Sequence, residues 1–269
     1  MKKWFFVLFL PSVCLALEED PWFGNCFEFH FRPLYEYNFF DRVDNSAPKQ
    51  KETFNTHLLD FGLGVTAPET WDWELEVEFA DTTPISFGYR SFAFQVRKLW
   101  WDDVCGDPVS LTTGLVYRDA SSRIRDALST PYHARANFEF HTAIGKEWCD
   151  GCDWTFRIYT FAAVGQGTEG SPWLRGDLYF WANLHDCHQF RVFGMSYWGL
   201  GSQETVPIDD FKGWAKIGHQ SIDVGASYRY RLGVYGWFRF DYMHRIFARS
   251  YPEHVNFFII SLDIPFSVF

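Results

Sequence analysis

Hydrophobic and polar residues alternate strictly along the segment Trp71–Phe79, which has the sequence WDWELEVEF. Aromatic and aliphatic residues occupy every second position, and acids fill the positions between them. A period of two is typical of a β-strand, whose side chains point alternately to opposite faces. The segment therefore predicts a strand with one strongly apolar face and one strongly acidic face.

Comparable alternation recurs along the chain and predicts twelve strands. Many of them reach the ~9–11 residues that a tilted transmembrane strand requires. The predicted strands are Cys26–Phe40, Asn55–Thr66, Trp71–Asp81, Tyr89–Trp101, Pro108–Arg118, Ala134–Trp148, Trp154–Gln166, Trp173–His185, His188–Gly199, Ile217–Arg231, Val234–Phe247 and His254–Phe269.

The connections between these strands also alternate, in length. The first and the ninth are long, DRVDNSAPKQKE and LGSQETVPIDDFKGWAK, whereas the second, eighth and tenth are short, APET, DC and LG. Barrels that span a membrane have short turns at one end and longer loops at the other. A soluble sandwich has no reason to sort loop lengths in this way, so the pattern favours a barrel.

The N-terminus begins MKKWFFVLFLPSVCLALEED, a basic start followed by a short apolar core. Cys14 and Ala16 occupy the −3 and −1 positions of a small-residue cleavage site, which predicts a signal peptide of residues 1–16 and a mature barrel of residues 17–269. The alternative is a lipoprotein with a lipidated Cys14, but Val13 before it is not the small residue expected there.

The chain ends SLDIPFSVF, and its last residue is Phe269. With the leader, the strands and the alternating loops, this ending resembles a Gram-negative outer-membrane β-barrel. The resemblance implies an all-β, antiparallel, up-and-down transmembrane barrel of about twelve strands in the outer membrane, inserted by machinery that reads the terminal aromatic residue. Phe269 departs from the parity of Ile264 and Phe266, so the terminal signal is imperfect.

Composition agrees with a lipid-facing surface. Aromatic residues make up 21% of the chain, more than a soluble core needs, whereas barrels in lipid carry aromatic girdles. The net charge of −10 argues against nucleic acid as a partner. The alternative is a soluble, secreted β-sandwich or barrel in which the apolar faces form the core and the acids are solvated.

The charged face of each strand would point into the barrel. In a ring of twelve, acids on the early strands would then lie across the lumen from arginines on the later strands. This predicts a narrow porin-like channel for small polar or charged solutes. The alternative is that these charges pair with neighbours and plug the lumen. The candidate lumen-lining residues are Glu28, Asp60, Asp72, Glu74, Glu76, Glu78, Arg97, Arg157, Arg175, Arg191, Arg229 and Arg239.

Two further hypotheses concern other classes of function. His219 and Ser221 in GHQSID resemble the outer-membrane phospholipase A and lipid A deacylase motifs, and a His beside a Ser suits attack on an ester. The parity of this strand points both residues inward, away from lipid, so an esterase is the runner-up and no catalytic residue is assigned. A third hypothesis is a closed structural barrel tethered to other envelope proteins.

The mature cysteines all fall at the start of the first strand or in even-numbered connections, which places them at one rim. They are odd in number, so one thiol cannot pair within the chain. We predict disulfides to a second copy or to a periplasmic protein; the alternative is internal bridges plus one inert thiol. A zinc site in CDGC and HDCH would need ligands from separate turns to converge, so no metal or cofactor is predicted. The disulfide candidates are Cys26, Cys105, Cys149, Cys152 and Cys187.

Overall fold

Twelve antiparallel strands form one closed barrel in the computed structural model, which describes residues 17–50, 52–150 and 153–267. The predicted fold class is confirmed. The strands are β1 Glu28–Phe40, β2 Phe54–Ala67, β3 Trp71–Thr82, β4 Ile85–Trp101, β5 Ser110–Ala120, β6 Ala136–Asp150, β7 Trp154–Gly167, β8 Trp173–Leu184, β9 His188–Gly199, β10 Gln220–Arg231, β11 Trp237–Arg249 and β12 Asn256–Ser267.

The barrel closes because the first strand pairs with both the second and the last. Tyr35 of β1 lies opposite Leu59 of β2 on one side and opposite Ile260 of β12 on the other. Each strand from β2 to β11 pairs with its two neighbours along the chain. A closed barrel leaves no unpaired strand edge, so its backbone groups can be satisfied inside lipid.

The two faces of the strands meet different surroundings. On β3, Trp73 is 44% exposed on the outside of the barrel, whereas Glu76 is fully buried inside it. Exposed aromatic residues are present at both ends of the outer surface, with Trp101 and Trp148 at one end and Phe87 at the other. Such girdles flank the apolar band of barrels that sit in lipid.

Most strand boundaries differ from the predicted ones by one to four residues, and two of these differences have a clear structural reason. β4 begins at Ile85 rather than Tyr89, because the ladder continues to the pair Thr82–Ile85 and leaves a tight turn where a longer connection was expected. Val234 is not in a strand but in the short 3-10 turn Gly233–Tyr235 that precedes β11. Gly and Pro punctuate both places in the sequence, but they do not specify turn length.

We call the end where β1 begins and β12 ends the terminal end, and the opposite end the loop end. At the loop end, Arg42–Val43 pairs with Pro252–Glu253, and Ser46–Ala47 pairs with Val206–Pro207, so three loops are tied together. No helix within the described ranges is long and apolar enough to cross a membrane. The predicted signal peptide, Cys152 and Phe269 lie outside the described residues.

Candidate channel interior

The structure places the candidate lumen-lining residues on the inner face, with different degrees of burial. Those on β2, β3 and β4, together with Arg175 of β8, are almost fully buried. Glu28 lies at the terminal end, partly exposed, and accepts a hydrogen bond from Asn25 Nδ2 at 2.8 Å. The half-buried arginines on the later strands are Arg157, Arg191, Arg229 and Arg239.

The acids of β3 contact arginines that lie one or two strands away rather than on the opposite wall. Asp72 Oδ2 lies 2.8 Å from Arg97 Nη2 of β4, and Glu74 Oε1 lies 2.9 Å from Arg32 Nη1 of β1. Inward side chains on adjacent strands are only about 5 Å apart at Cβ, well within the reach of an arginine. Neighbour pairing therefore neutralises much of the field that two opposed walls would create.

The arginines of the later strands also find partners near their own wall. Arg229 Nη2 lies 3.1 Å from Asp263 Oδ2, and Arg157 Nε lies 2.5 Å from Glu147 Oε2. Arg191 differs: its guanidinium lies over the Tyr179 ring at 5.6 Å, and it forms no ion pair within the described residues. Arg191 is thus a cation that faces the interior with an aromatic partner instead of a carboxylate.

Residues 17–25, which we call the inner segment, run inside the barrel from the terminal end, and sequence reasoning missed this. Leu17 N donates to Glu76 Oε2 at 3.2 Å, and Glu18 N donates to Glu74 Oε2 at 2.8 Å. In the opposite direction, Gln95 Nε2 of β4 donates a hydrogen bond to the Glu18 carbonyl oxygen at 2.8 Å. The backbone of the inner segment therefore satisfies polar groups of β3 and β4.

The acids of the inner segment form ion pairs with inward-facing arginines of the barrel wall. Glu18 lies 3.5 Å from Arg32 Nε, and Glu19 forms an ion pair with Arg175. Burial raises the pKa of Glu18, but the guanidinium groups of Arg32 and Arg229 outweigh it and lower this pKa to about 2. Glu18 thus remains ionised throughout the physiological range, and the inner segment is anchored by charge.

Aromatic contacts fix the inner segment where it enters the barrel. Trp22 Nε1 donates to Asp103 Oδ1 at 2.9 Å, and the Trp22 ring packs edge-on against Tyr159. A Cβ atom on Gly145 would lie 2.6 Å from Trp22 Cη2 and 2.8 Å from Pro21 Cγ. The absence of a side chain at Gly145 therefore makes room for the inner segment.

A cavity of about 60 Å³ remains between the inner segment and the wall formed by β8 to β12. Arg191, Arg229 and Arg239 line it together with Tyr179 and Ser261. Glu18, Glu19 and Asp263 also line this cavity, which can accommodate water or a small ion.

Loops from the loop end close the interior from the other side. Tyr132 and His133 of the segment 121–135 and Trp214 of the segment 200–219 are buried. Trp214 Nε1 donates to the Thr130 carbonyl oxygen at 2.6 Å, which joins the two segments. We call this buried group the cap. The sequence pattern assigned residues 121–133 and 200–216 to loops and did not predict that they turn inward.

The residues of the esterase hypothesis lie inside the barrel as their parity predicted. His219 and Ser221 are both buried. His219 Nε2 contacts His133 Nε2 at 2.9 Å, and Ser221 Oγ has no hydrogen-bond partner within the described residues. The two side chains therefore share no hydrogen bond that would activate the hydroxyl, and neither faces lipid.

The four cysteines that the structure describes are exposed at the terminal end, and each is a free thiol. They are Cys26, Cys105, Cys149 and Cys187. Their shared rim follows from the strand order, whereas the predicted intermolecular disulfides stay a prediction.

No family model and no curated protein matches this chain. Several solved structures, however, are similar to it in fold. An outer membrane channel from Pseudomonas putida F1 has a TM-score of 0.68 and 8% identity, and the match covers 95% of this chain and 100% of that one. The NanC porin has a TM-score of 0.52 and 10% identity, over 88% of this chain and 98% of that one. The KdgM porin has a TM-score of 0.51 and 9% identity, over 87% and 99%. At these identities the likeness establishes the fold, that of an outer-membrane β-barrel.

Proposed function

We propose that this protein is an outer-membrane channel for small polar or charged solutes. The observation that supports it is the inversion of polarity in the closed barrel, with an apolar outer surface and an interior of charged side chains. A barrel of this kind suits lipid outside and water or polar solutes inside. The likeness in fold to an outer membrane channel and to two porins agrees with the proposal.

The location follows from the same proposal. The chain would cross the inner membrane by its signal peptide, and the insertion machinery would read Phe269. The terminal end would then face the periplasm and the loop end the outside, as in barrels with short periplasmic turns. The inner segment would enter the lumen from the periplasmic side.

The state described here is closed in this proposal. The cap fills the loop end, and the inner segment fills the middle of the lumen. Conduction then requires both of them to move, and the inner segment is held partly by ion pairs, which weaken with salt. The arginine-lined cavity beside it would become part of the solute path.

Conductance in planar bilayers tests this function. We expect the mature protein to pass ions, and the double variant Glu18→Gln, Glu19→Gln to pass more current because its inner segment loses two charged anchors. The matched control, Asp209→Asn with Asp210→Asn, removes the same charge from an exposed loop and should behave as the unaltered protein. Absence of conductance in all three proteins would contradict a channel.

A further inference from the structure

Three buried acids form a cluster at the inner end of the inner segment. One carboxylate oxygen from each of Asp60, Glu76 and Glu78 lies within 4.8 Å of the other two. All three side chains are fully buried. Carboxylates this close together in a buried site disfavour one another's charge unless cations compensate them.

Two arginines contact part of this cluster. Arg118 Nη2 lies 2.5 Å from Glu76 Oε1, and Arg90 Nε lies 3.3 Å from Glu78 Oε2. Arg118 Nη1 also lies 3.2 Å from Glu78 Oε2, so both guanidinium groups contact Glu78. Glu78 Oε1 is buried and accepts no hydrogen bond from the described residues. The cluster thus has an acceptor available for one further cationic donor.

The nitrogen of Leu17 already lies at this cluster. It donates to Glu76 Oε2 at 3.2 Å, and the Leu17 side chain, 5% exposed, packs with Ala93 and Val116. The sequence predicts cleavage of the bond between Ala16 and Leu17. Before cleavage this nitrogen is a neutral amide with one N–H; after cleavage it is an α-amino group, which is cationic near neutral pH.

We infer that Asp60, Glu76 and Glu78 form a binding site for the α-ammonium group of Leu17. Hydrolysis of the Ala16–Leu17 bond leaves a carboxylate on Ala16, and the freed nitrogen of Leu17 takes up protons to become an ammonium with three N–H donors. The ammonium would place a positive charge and three donors beside the three acids, so removal of the signal peptide strengthens the docking of the inner segment. This inference rests on cleavage after Ala16 and goes beyond conduction, since a barrel that passed no ions would still carry the site.

Amine labelling of the mature protein isolated from membranes tests the site. Intact mass first shows whether the chain begins at Leu17. An acylating reagent that attacks only the neutral amine is then applied at pH 7 to the folded protein in detergent and to the denatured protein. An ammonium held by carboxylates has a raised pKa, and each unit of that rise lowers the reactive fraction about tenfold. We expect labelling of Leu17 at least about tenfold slower in the folded state, with exposed Lys212 labelled equally in both states.

Variants separate the site from simple burial. Glu76→Gln should lose the protection, whereas Glu169→Gln, at a 60% exposed side chain, should keep it. Because Glu76→Gln perturbs a buried pair, a second protein retains the intact barrel. It is refolded with one extra Gly before Leu17, which moves the amine by about 3.8 Å. This chain should migrate as a folded barrel on unheated gels and yet label at the denatured rate.

Four results would overturn the inference. They are a mature chain that begins elsewhere than Leu17, equal labelling of Leu17 in folded and denatured protein, and protection that survives the extra Gly. The fourth is a reactive amine together with a thermal midpoint that rises on adding Mg²⁺ or Ca²⁺, which would make the cluster a divalent-cation site. None of these readouts depends on conductance, so failure of the site and failure of the channel are distinguishable.

Discussion

His133 and His219 form a buried pair in the cap, and their surroundings make it sensitive to pH. Their Nε2 atoms lie 2.9 Å apart, Tyr251 stacks on His219, and the Arg245 guanidinium lies over the Tyr251 ring. Burial lowers the pKa of His133 to about 4, and burial, together with the nearby His133 and Arg245, lowers the pKa of His219 well below its usual value. The pair is therefore neutral in the folded cap.

Lowering the pH should loosen the cap. A histidine whose pKa falls on folding stabilises the folded state above its unfolded pKa of 6.5, and this stabilisation is lost as pH falls toward 4. For His133 alone, the loss at pH 5 is about 2 kcal/mol. Hydrogen exchange of residues 200–219, corrected for intrinsic rates, should be faster at pH 5 than at pH 7.

The double variant His133→Phe, His219→Phe should lose this pH dependence, since neither ring can take a proton. His188→Phe, at an exposed site outside the barrel, serves as the control and should keep it. An unchanged pH response in the double variant would show that other groups control the cap.

Gly145 gives a second prediction at the residue scale. A valine there would overlap Trp22 and Pro21 and should expel the inner segment, at a stability cost of about 1–3 kcal/mol for overpacking. We expect Gly145→Val to raise conductance, as we expect of the double variant Glu18→Gln, Glu19→Gln. Gly194, where a Cβ atom would meet nothing within 4 Å, is the matched control for Val. A Gly145→Val protein with unaltered conductance and unaltered Trp22 packing would refute this role of the glycine.

At the scale of the elements, adjacent residues on one strand test the inside–outside assignment. Ile260 of β12 is 45% exposed on the outer surface, and Ser261 lines the arginine cavity. An arginine facing lipid near the bilayer midplane costs about 2–4 kcal/mol, whereas lumen sites tolerate it. Ile260→Arg should therefore lower the free energy of unfolding in lipid vesicles by that amount, and Ser261→Glu, which places an acid among the arginines of the cavity, by about 1 kcal/mol or less. Equal losses would contradict the orientation of β12.

The cysteines at the terminal end lead to a prediction about disulfide cross-linking. Four exposed thiols lie there, and an odd number in the mature chain leaves at least one without an internal partner. We expect disulfides to a second copy or to a periplasmic protein. Non-reducing gels of membranes alkylated at lysis should show species that disappear with reductant and in a cysteine-free variant. A single monomer band with and without reductant would exclude cross-linking.

The strands themselves were predictable because their pattern is local. Each needs only a period of two and a length that spans lipid, and all twelve strands appear within a few residues of the predicted bounds. The cap was not predictable in this way. Trp214 is buried by contacts with Thr130 and Tyr251, which lie far from it in the chain, and irregular segments have no period that would reveal an inward face.

For the molecule as a whole, parity indicates which charges point inward but not which charges meet. Arg97 is one strand from Asp72, so that pair was an obvious candidate. The position of the inner segment was not predictable, because no strand period includes Glu18 and Glu19. Only the charge of these two acids, opposite to that of the excess arginines on the later strands, could have indicated that the segment lies in the lumen. Pairing across a lumen depends on barrel radius and on chain segments that enter it, and neither is encoded in local alternation.

Selectivity provides a test at this largest scale. Arg191 is the cation of the cavity without a carboxylate partner among the described residues, so it should attract anions into the path. In the Glu18→Gln, Glu19→Gln background, where conduction is expected to be largest, Arg191→Gln should shift the reversal potential in a salt gradient toward cations. Lys49→Gln removes an equal charge from an exposed loop and should leave it unchanged. The shift should be large near 0.1 M salt, where the Debye length is about 10 Å, and small near 1 M, where it is about 3 Å. If Arg191→Gln left the reversal potential unchanged at low salt, ions would take a route away from this cavity. The arginines of the later strands would then serve only to hold the inner segment.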